Sequence, residues 1–162
     1  MIATHQVPQG RIEALRADGV PTPAVYEIDP AEAGAFREQI AALRDGNKYA
    51  ASVYVYEEEE YRNMRMFLTD DGNAGFALNG DDIISVFSRK DGAHSGCAPA
   101  LLATAVEQGG RRLDCFDTVL PDIYAPEGFE VASRLRWNDE HAPADWDKET
   151  FRRYNGGEPD VV

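Results

Sequence analysis

Met64-Arg65-Met66-Phe67-Leu68 and Ala74-Gly75-Phe76-Ala77-Leu78 flank Asp70-Asp71-Gly72-Asn73, and Asn79-Gly80-Asp81-Asp82 then leads into Ile83-Ile84-Ser85-Val86-Phe87-Ser88. Each apolar run has the length of a strand. Each junction gathers Asp, Asn and Gly, the residues that accept the backbone angles of tight hairpin turns. The spacing therefore predicts three successive antiparallel strands, a meander.

Downstream the pattern lengthens. A loop over 89–95, a helix over about 96–108 closed by Gly109-Gly110, a strand over 111–118, a helical turn over 120–126 and a strand over 129–137 follow in turn. Strand alternating with helix is the signature of βαβ units. The expected fold is α/β (α+β), with a mixed central sheet, meander first and βαβ-type crossover second, and flanking helices.

Upstream, Asp29-Pro30-Ala31-Glu32 starts a helix, with Asp as its cap and Pro at the first helical position. Phe36, Ile40 and Leu43 recur at helical spacing until Asp45-Gly46-Asn47. Tyr49 to Tyr56 is rich in β-branched and aromatic residues and reads as another strand. Glu57-Glu58-Glu59-Glu60 reads as a solvated turn, or as a collector of cationic substrate. Residues 1–28 are expected as an N-terminal arm with one or two helical turns. Residues 138–162 are expected as a C-terminal extension in which Trp146, Phe151 and Tyr154 share one face of a last helix. One domain spanning 1–162 accommodates all of this.

The net charge is −13 with a pI near 4.5. Binding to a phosphate backbone relies on clustered Lys and Arg and is disfavoured. An acidic surface serves solubility, or attracts amines and basic protein segments. No apolar run approaches the roughly 18 residues that span a bilayer, and the N-terminus lacks the basic flank and apolar core of a signal peptide. A cytoplasmic location without membrane partners is expected. Cys97 and Cys115 define neither a disulfide framework nor zinc spacing. Cys97 is either a small buried residue or a thiol acidified by a helix start.

Gly96-Cys97-Ala98-Pro99-Ala100-Leu101-Leu102 is a small-residue turn opening a helix, a natural site for an anion. Together with the preceding meander and with Tyr124-Ala125-Pro126-Glu127-Gly128-Phe129, it resembles the GNAT superfamily of N-acetyltransferases. The resemblance covers about residues 64–137. The phrasing of residues 62–88 and 111–147 is also similar to acetyltransferase-like proteins encoded by bacteriophages. The resemblance implies acetyl-CoA, or another acyl-CoA, as donor, and an amine on a small molecule, a protein or a modified base as acceptor. A homodimer is compatible with it.

In that family the pantetheine arm pairs with the exposed backbone of a splayed strand, which maps onto Ile84, Ser85, Val86, Phe87 and Ser88. The pyrophosphate loop, [Gln or Arg]-x-x-Gly-x-[Gly or Ala], maps onto Ala93-His94-Ser95-Gly96-Cys97-Ala98. Gly96 and Ala98 are kept, and Ala93 stands where Gln or Arg is expected. Arg89 and Lys90 lie just upstream. His94 and Ser95 are candidate donors to phosphate. Tyr124 matches the residue that protonates the departing thiolate, or else packs over the core, and Phe129 is expected in the core. No motif carries a general base. Asp114, Asp117, Asp81 and Asp82 are candidates, with Asp117 preferred. His5, His94 and His141 show no metal-ligand spacing. The segment from Trp137 to Asp147, two tryptophans among acids, lines an acceptor pocket or anchors a C-terminal wrap. The first expectation is an N-acyltransferase that works by direct amine attack. The alternative is a non-catalytic protein of the same fold, with an inhibitory, anti-host or nucleic-acid-mimicking role.

Overall fold

A computed structural model describes residues 1–162. The chain divides into two compact units, Met1–Ala42 with Val55–Leu113, and Leu43–Tyr54 with Asp114–Val162. The first is built on a sheet. Its elements are β1 (Ala3–His5), α1 (Gln9–Ala17), β2 (Val25–Ile28), α2 (Ala33–Ala42), α3 (Glu58–Arg62), β3 (Arg65–Leu68), β4 (Ala74–Asn79), β5 (Asp82–Ser88) and α4 (Ala98–Glu107).

The meander is present where the turn residues place it. The five strands lie in the order β1-β2-β3-β4-β5, and every neighbouring pair is antiparallel. The expected mixed sheet is thus corrected to a purely antiparallel one. The expected arm over 1–28 is also corrected: β1 and β2 come from it and extend the meander by two strands. His5 and Val25 are register partners at this end of the sheet. Short strands within a Pro-rich, polar context carried little periodic signal.

Five consecutive residues of β4, Ala74 to Leu78, are buried. Burial on both faces erases the alternation that a half-exposed strand shows. α4 packs against β4 and β5. Val7, Leu15, Ala100 and Ala103 join α1 to α4 in one cluster. α2 and α3 pack against β3, where Phe36 meets the rings of Tyr61 and Phe87 edge-on at 5.1 and 6.2 Å. The start of α2 follows the expected chemistry. Asp29 Oδ1 accepts from the Ala31 amide, and Glu32 Oε2 accepts from the Asp29 amide, a capping box. The glutamate run forms the first turn of α3, where carboxylates complement the helix dipole.

Gly75 decides how closely β3 and β4 approach. A Cβ on it would lie 2.1 Å from the Phe67 carbonyl oxygen. No side chain fits there without moving backbone.

The expected strand over 49–56 is a correction. Ala50–Ser52 is a single 3-10 turn and no ladder forms. The Val53 carbonyl accepts from Arg44 and the Tyr56 carbonyl from Arg37. Side-chain guanidinium groups satisfy the backbone that a neighbouring strand would otherwise have to satisfy.

The second unit has little regular structure. α5 (Leu120–Tyr124) and the 3-10 turn Ala125–Glu127 match the expected helical turn. The expected strands over 111–118 and 129–137 shrink to isolated bridges, Asp82 with Arg112, which belongs to the first unit and is the sole parallel pairing, and Phe116 and Leu135 with Val161. Cys115 and Val162 exchange backbone hydrogen bonds, and the Asp117 amide donates to the Asp160 carbonyl. The last residues of the chain therefore take the place that the sequence pattern assigns to a longer ladder. The expected last helix is replaced by turns. Two of its aromatic residues, Trp146 and Phe151, join a cluster instead: they stack at 3.8 Å, and Phe116 and Trp137 tilt against Trp146 at 4.8 and 5.0 Å. Phe129, expected in the core, is only half-buried. No helix is long and apolar enough to cross a membrane.

Candidate functional site

β5 ends the sheet. Its outer edge is bridged only at its start, where Asp82 meets Arg112 and the Ile83 amide donates to the Arg112 carbonyl. From Ile84 to Ser88 no strand pairs with that edge. The inner edge is irregular over the same residues. Gly75 pairs with Phe87 and Ala77 with Ile84, so Ser85 and Val86 together oppose Phe76. The extra residue is a β-bulge, which frees backbone groups from the ladder.

Ser85 sits in the bulge with φ +54, one of two non-glycine residues with positive φ. Serine in this region is strained by on the order of 1 kcal/mol or more, and persists only where its surroundings hold it. The Tyr61 hydroxyl lies 2.7 Å from Ser85 Oγ. Tyr61 itself is fully buried in α3 and also accepts from the Tyr56 amide at 3.4 Å. Burial pushes its phenol above the ordinary value, so it stays protonated.

The loop after β5 is tied down from three sides. The Asp71 carboxylate accepts from the Thr69 hydroxyl, the Asn73 amide and the Ala93 amide. Partial burial opposes its charge, but these donors prevail and hold the carboxyl well below the usual range. His94 Nε2 lies 2.7 Å from Asp70 Oδ1. Ser88 Oγ accepts from the Gly96 amide and donates to the His94 carbonyl. The Ser95 and Cys97 amides donate to Gly92 and His94. Gly96 has φ +84, a backbone angle that favours glycine at this turn.

The residues expected to cradle phosphate are therefore largely engaged with one another. His94 is held by Asp70 rather than free to donate. The amides of Ala98 and Ala100, in the first turn of α4, have no partner, and the helix dipole there favours an anion. Cys97 caps α4 but is fully buried, and burial raises its thiol rather than acidifying it.

Asp117, Tyr124 and Asp114 belong to the second unit. The Asp117 carboxylate accepts from Arg134, which also bonds Asp160. Its oxygens are occupied by a guanidinium, a poor arrangement for a general base. Asp114 is exposed. Tyr124 is buried, and burial first, then the charge of Cys115, push its phenol far above the ordinary value. Cys115 is itself raised to about 11 by burial and by Asp117 and Asp114. Asp81 pairs with Arg112 on the surface.

Two clusters escaped sequence reasoning because their members are far apart in the chain. Asp70, Asp71 and His94 bring three ligand atoms within 4.8 Å of one another. They have the chemistry to hold a divalent cation, but Asp71 already spends its oxygens on four protein donors. His5, Glu27 and Arg65 form the other. Arg65 grips Glu27 with two nitrogens at 2.8 and 3.1 Å, and His5 Nε2 approaches the same carboxylate at 3.2 Å. The guanidinium holds the Glu27 carboxyl below its usual range against the effect of burial. The cluster fastens β1, β2 and β3 to one another.

Compared with protein-family models, with curated protein sequences and with solved structures, the chain gives no significant match.

Proposed function

We propose that the chain is a GNAT-type N-acyltransferase, working through the open edge and bulge of β5. The observation that carries this reading is the coincidence of Ser85 at φ +54, a register shift against β4 and an outer edge free of any strand from Ile84 onward. Such an edge suits an extended, amide-bearing chain such as pantetheine, which would continue the ladder along Ile84–Ser88. An acyl-CoA supplies an acyl group activated as a thioester. The backbone groups released at Ser85 and Val86 would stand against its carbonyl oxygen. Ala98 offers its amide to the phosphates, aided by the dipole of α4. The acidic surface would favour a cationic amine as acceptor. The resemblance names Tyr124, a residue of the second unit, as the proton donor to sulfur. Its raised phenol makes it a reluctant one, and Asp117 is not retained as the base.

Calorimetry with acetyl-CoA on the full chain tests this reading. Saturable binding at or below millimolar ligand is expected, with turnover of an amine acceptor lowered by Tyr124→Phe. A folded chain that shows no heat at millimolar acetyl-CoA overturns it.

A second reading is favoured by one specific observation. The Ala93, Ser95, Gly96 and Cys97 amides are committed within the loop, and His94 is paired with Asp70. A loop satisfied by its own groups suits a non-catalytic binding protein of the same fold. That reading expects no acetyl-CoA binding.

A further inference from the structure

We propose that Tyr61 is a positioning residue for the acyl carbonyl, holding Ser85 in its left-handed conformation so that the β5 bulge keeps its hydrogen-bonding groups turned out of the ladder. The inference rests on the acyltransferase reading above and concerns the chain's own means of keeping that site in shape.

Serine gains nothing intrinsic from φ +54. The pairs Gly75 with Phe87 and Ala77 with Ile84 fix the extra residue, but not the angle it adopts. Relaxing Ser85 to an extended angle would reshape the bulge and redirect its backbone groups, and a tether from outside the strand opposes that change. The side-chain hydrogen bond of Ser85 is with Tyr61, at 2.7 Å. Tyr61 is well suited to it. Its ring is fixed edge-on by Phe36 at 5.1 Å and by Tyr56 at 5.6 Å, and no part of it is exposed. The phenolic oxygen accepts from the Tyr56 amide, which leaves its proton for Ser85 Oγ. A rigid ring thus carries one hydroxyl across from α3 to the strained residue of β5.

Two coenzyme analogues read this out. Acetyl-CoA has a carbonyl oxygen and S-ethyl-CoA, the thioether of the same size, lacks it. The ratio of their affinities for the full chain, measured by calorimetry, reports the carbonyl contact alone. Wild type should prefer acetyl-CoA by about fivefold, the worth of one hydrogen bond. Tyr61→Phe and Ser85→Ala should both bring this ratio to one, any weakening of pantetheine docking being common to the two ligands and cancelling in the ratio. Ser85→Gly should keep the preference, because glycine adopts φ +54 without a tether.

If wild type binds neither ligand, the acyltransferase reading fails and this inference falls with it. If wild type binds both with equal affinity, that reading survives and the inference is overturned. A preference that persists in Tyr61→Phe, or that is lost in Ser85→Gly, also overturns it, the latter by assigning the contact to the serine hydroxyl itself. Should Tyr61→Phe fail to fold, the contrast between Ser85→Ala and Ser85→Gly decides alone.

Discussion

The sheet unit and the C-terminal unit satisfy their backbones in different ways. In the first, strands pair with strands over successive residues, and side chains are left to fill the two faces of β4. In the second, bridges involve one residue at a time, and the interior is an aromatic cluster rimmed by ion pairs such as Arg44 with Asp145 and Lys148 with Glu158. A ladder distributes its hydrogen bonds over many residues and is sensitive to the spacing of its strands. An aromatic cluster concentrates its energy in a few large side chains. Both tryptophans, Trp137 and Trp146, lie in the second unit, so their fluorescence reports that unit while far-ultraviolet circular dichroism is dominated by the first.

The contrast can be broken most strongly at Gly75. Gly75→Ala drives a Cβ into the Phe67 carbonyl, and the expected loss is about 3 kcal/mol or more. Urea unfolding followed by circular dichroism should show it. A midpoint equal to wild type would mean that β3 and β4 separate at little cost. Trp146→Ala should cost about 2–3 kcal/mol through the loss of its stack on Phe151 and its hydrogen bond to the Gly157 carbonyl. Fluorescence of the remaining Trp137 reads this loss. An unchanged fluorescence transition would show that the cluster does not hold the unit together.

Alkaline pH sharpens the comparison further. Cys115 titrates at about 11 in the folded chain, raised by burial from 9.0. Between those values the unfolded chain has released the proton and the folded chain has kept it. Its contribution is thus fully present below pH 9 and falls as pH rises to about 11. The urea midpoint by fluorescence should decline across that window, and Cys115→Ala should flatten the decline. Equal slopes in the two proteins would rule the thiol out as the cause. The smallest effect is expected at Asp71. Asp71→Ala removes the acceptor of the Thr69, Asn73 and Ala93 donors, a loss of about 1 kcal/mol in the sheet unit. The wild-type carboxyl is held low, so its contribution is present above the ordinary carboxylate range and disappears as pH falls. Wild type and variant should therefore converge in acid, and a gap that persists there would point to packing rather than charge.

How far the sequence could be read follows the same division. The strands from Arg65 to Ser88 and the capping box at Asp29 depend on neighbours within a few residues, and turn chemistry and capping chemistry reveal them directly. α4 was equally plain from its apolar run. β1 and β2 were hidden because a strand of three or four residues shows no period of its own and exists through its partner. The supposed strand at Tyr49–Tyr56 had the right composition, but Arg37 and Arg44 took its carbonyls. At the site, the residues of β5 and the loop were named through the family resemblance, whereas the bulge and its tether to Tyr61 were not, since nothing in Ile83–Ser88 departs from an ordinary strand.

The sequence by itself determined the antiparallel core, the helix that follows it and the acidic surface, because local turn signals, apolar spacing and charge act over a few residues or over the whole chain at once. Only the tertiary structure decided that the first residues join the sheet, that the last residues pair with Cys115 and Asp117, that Asp117 meets Arg134 and that Ser85 is held out of its ladder. Each of these depends on which distant group reaches a backbone or carboxylate first, a competition that is settled only when the chain has folded.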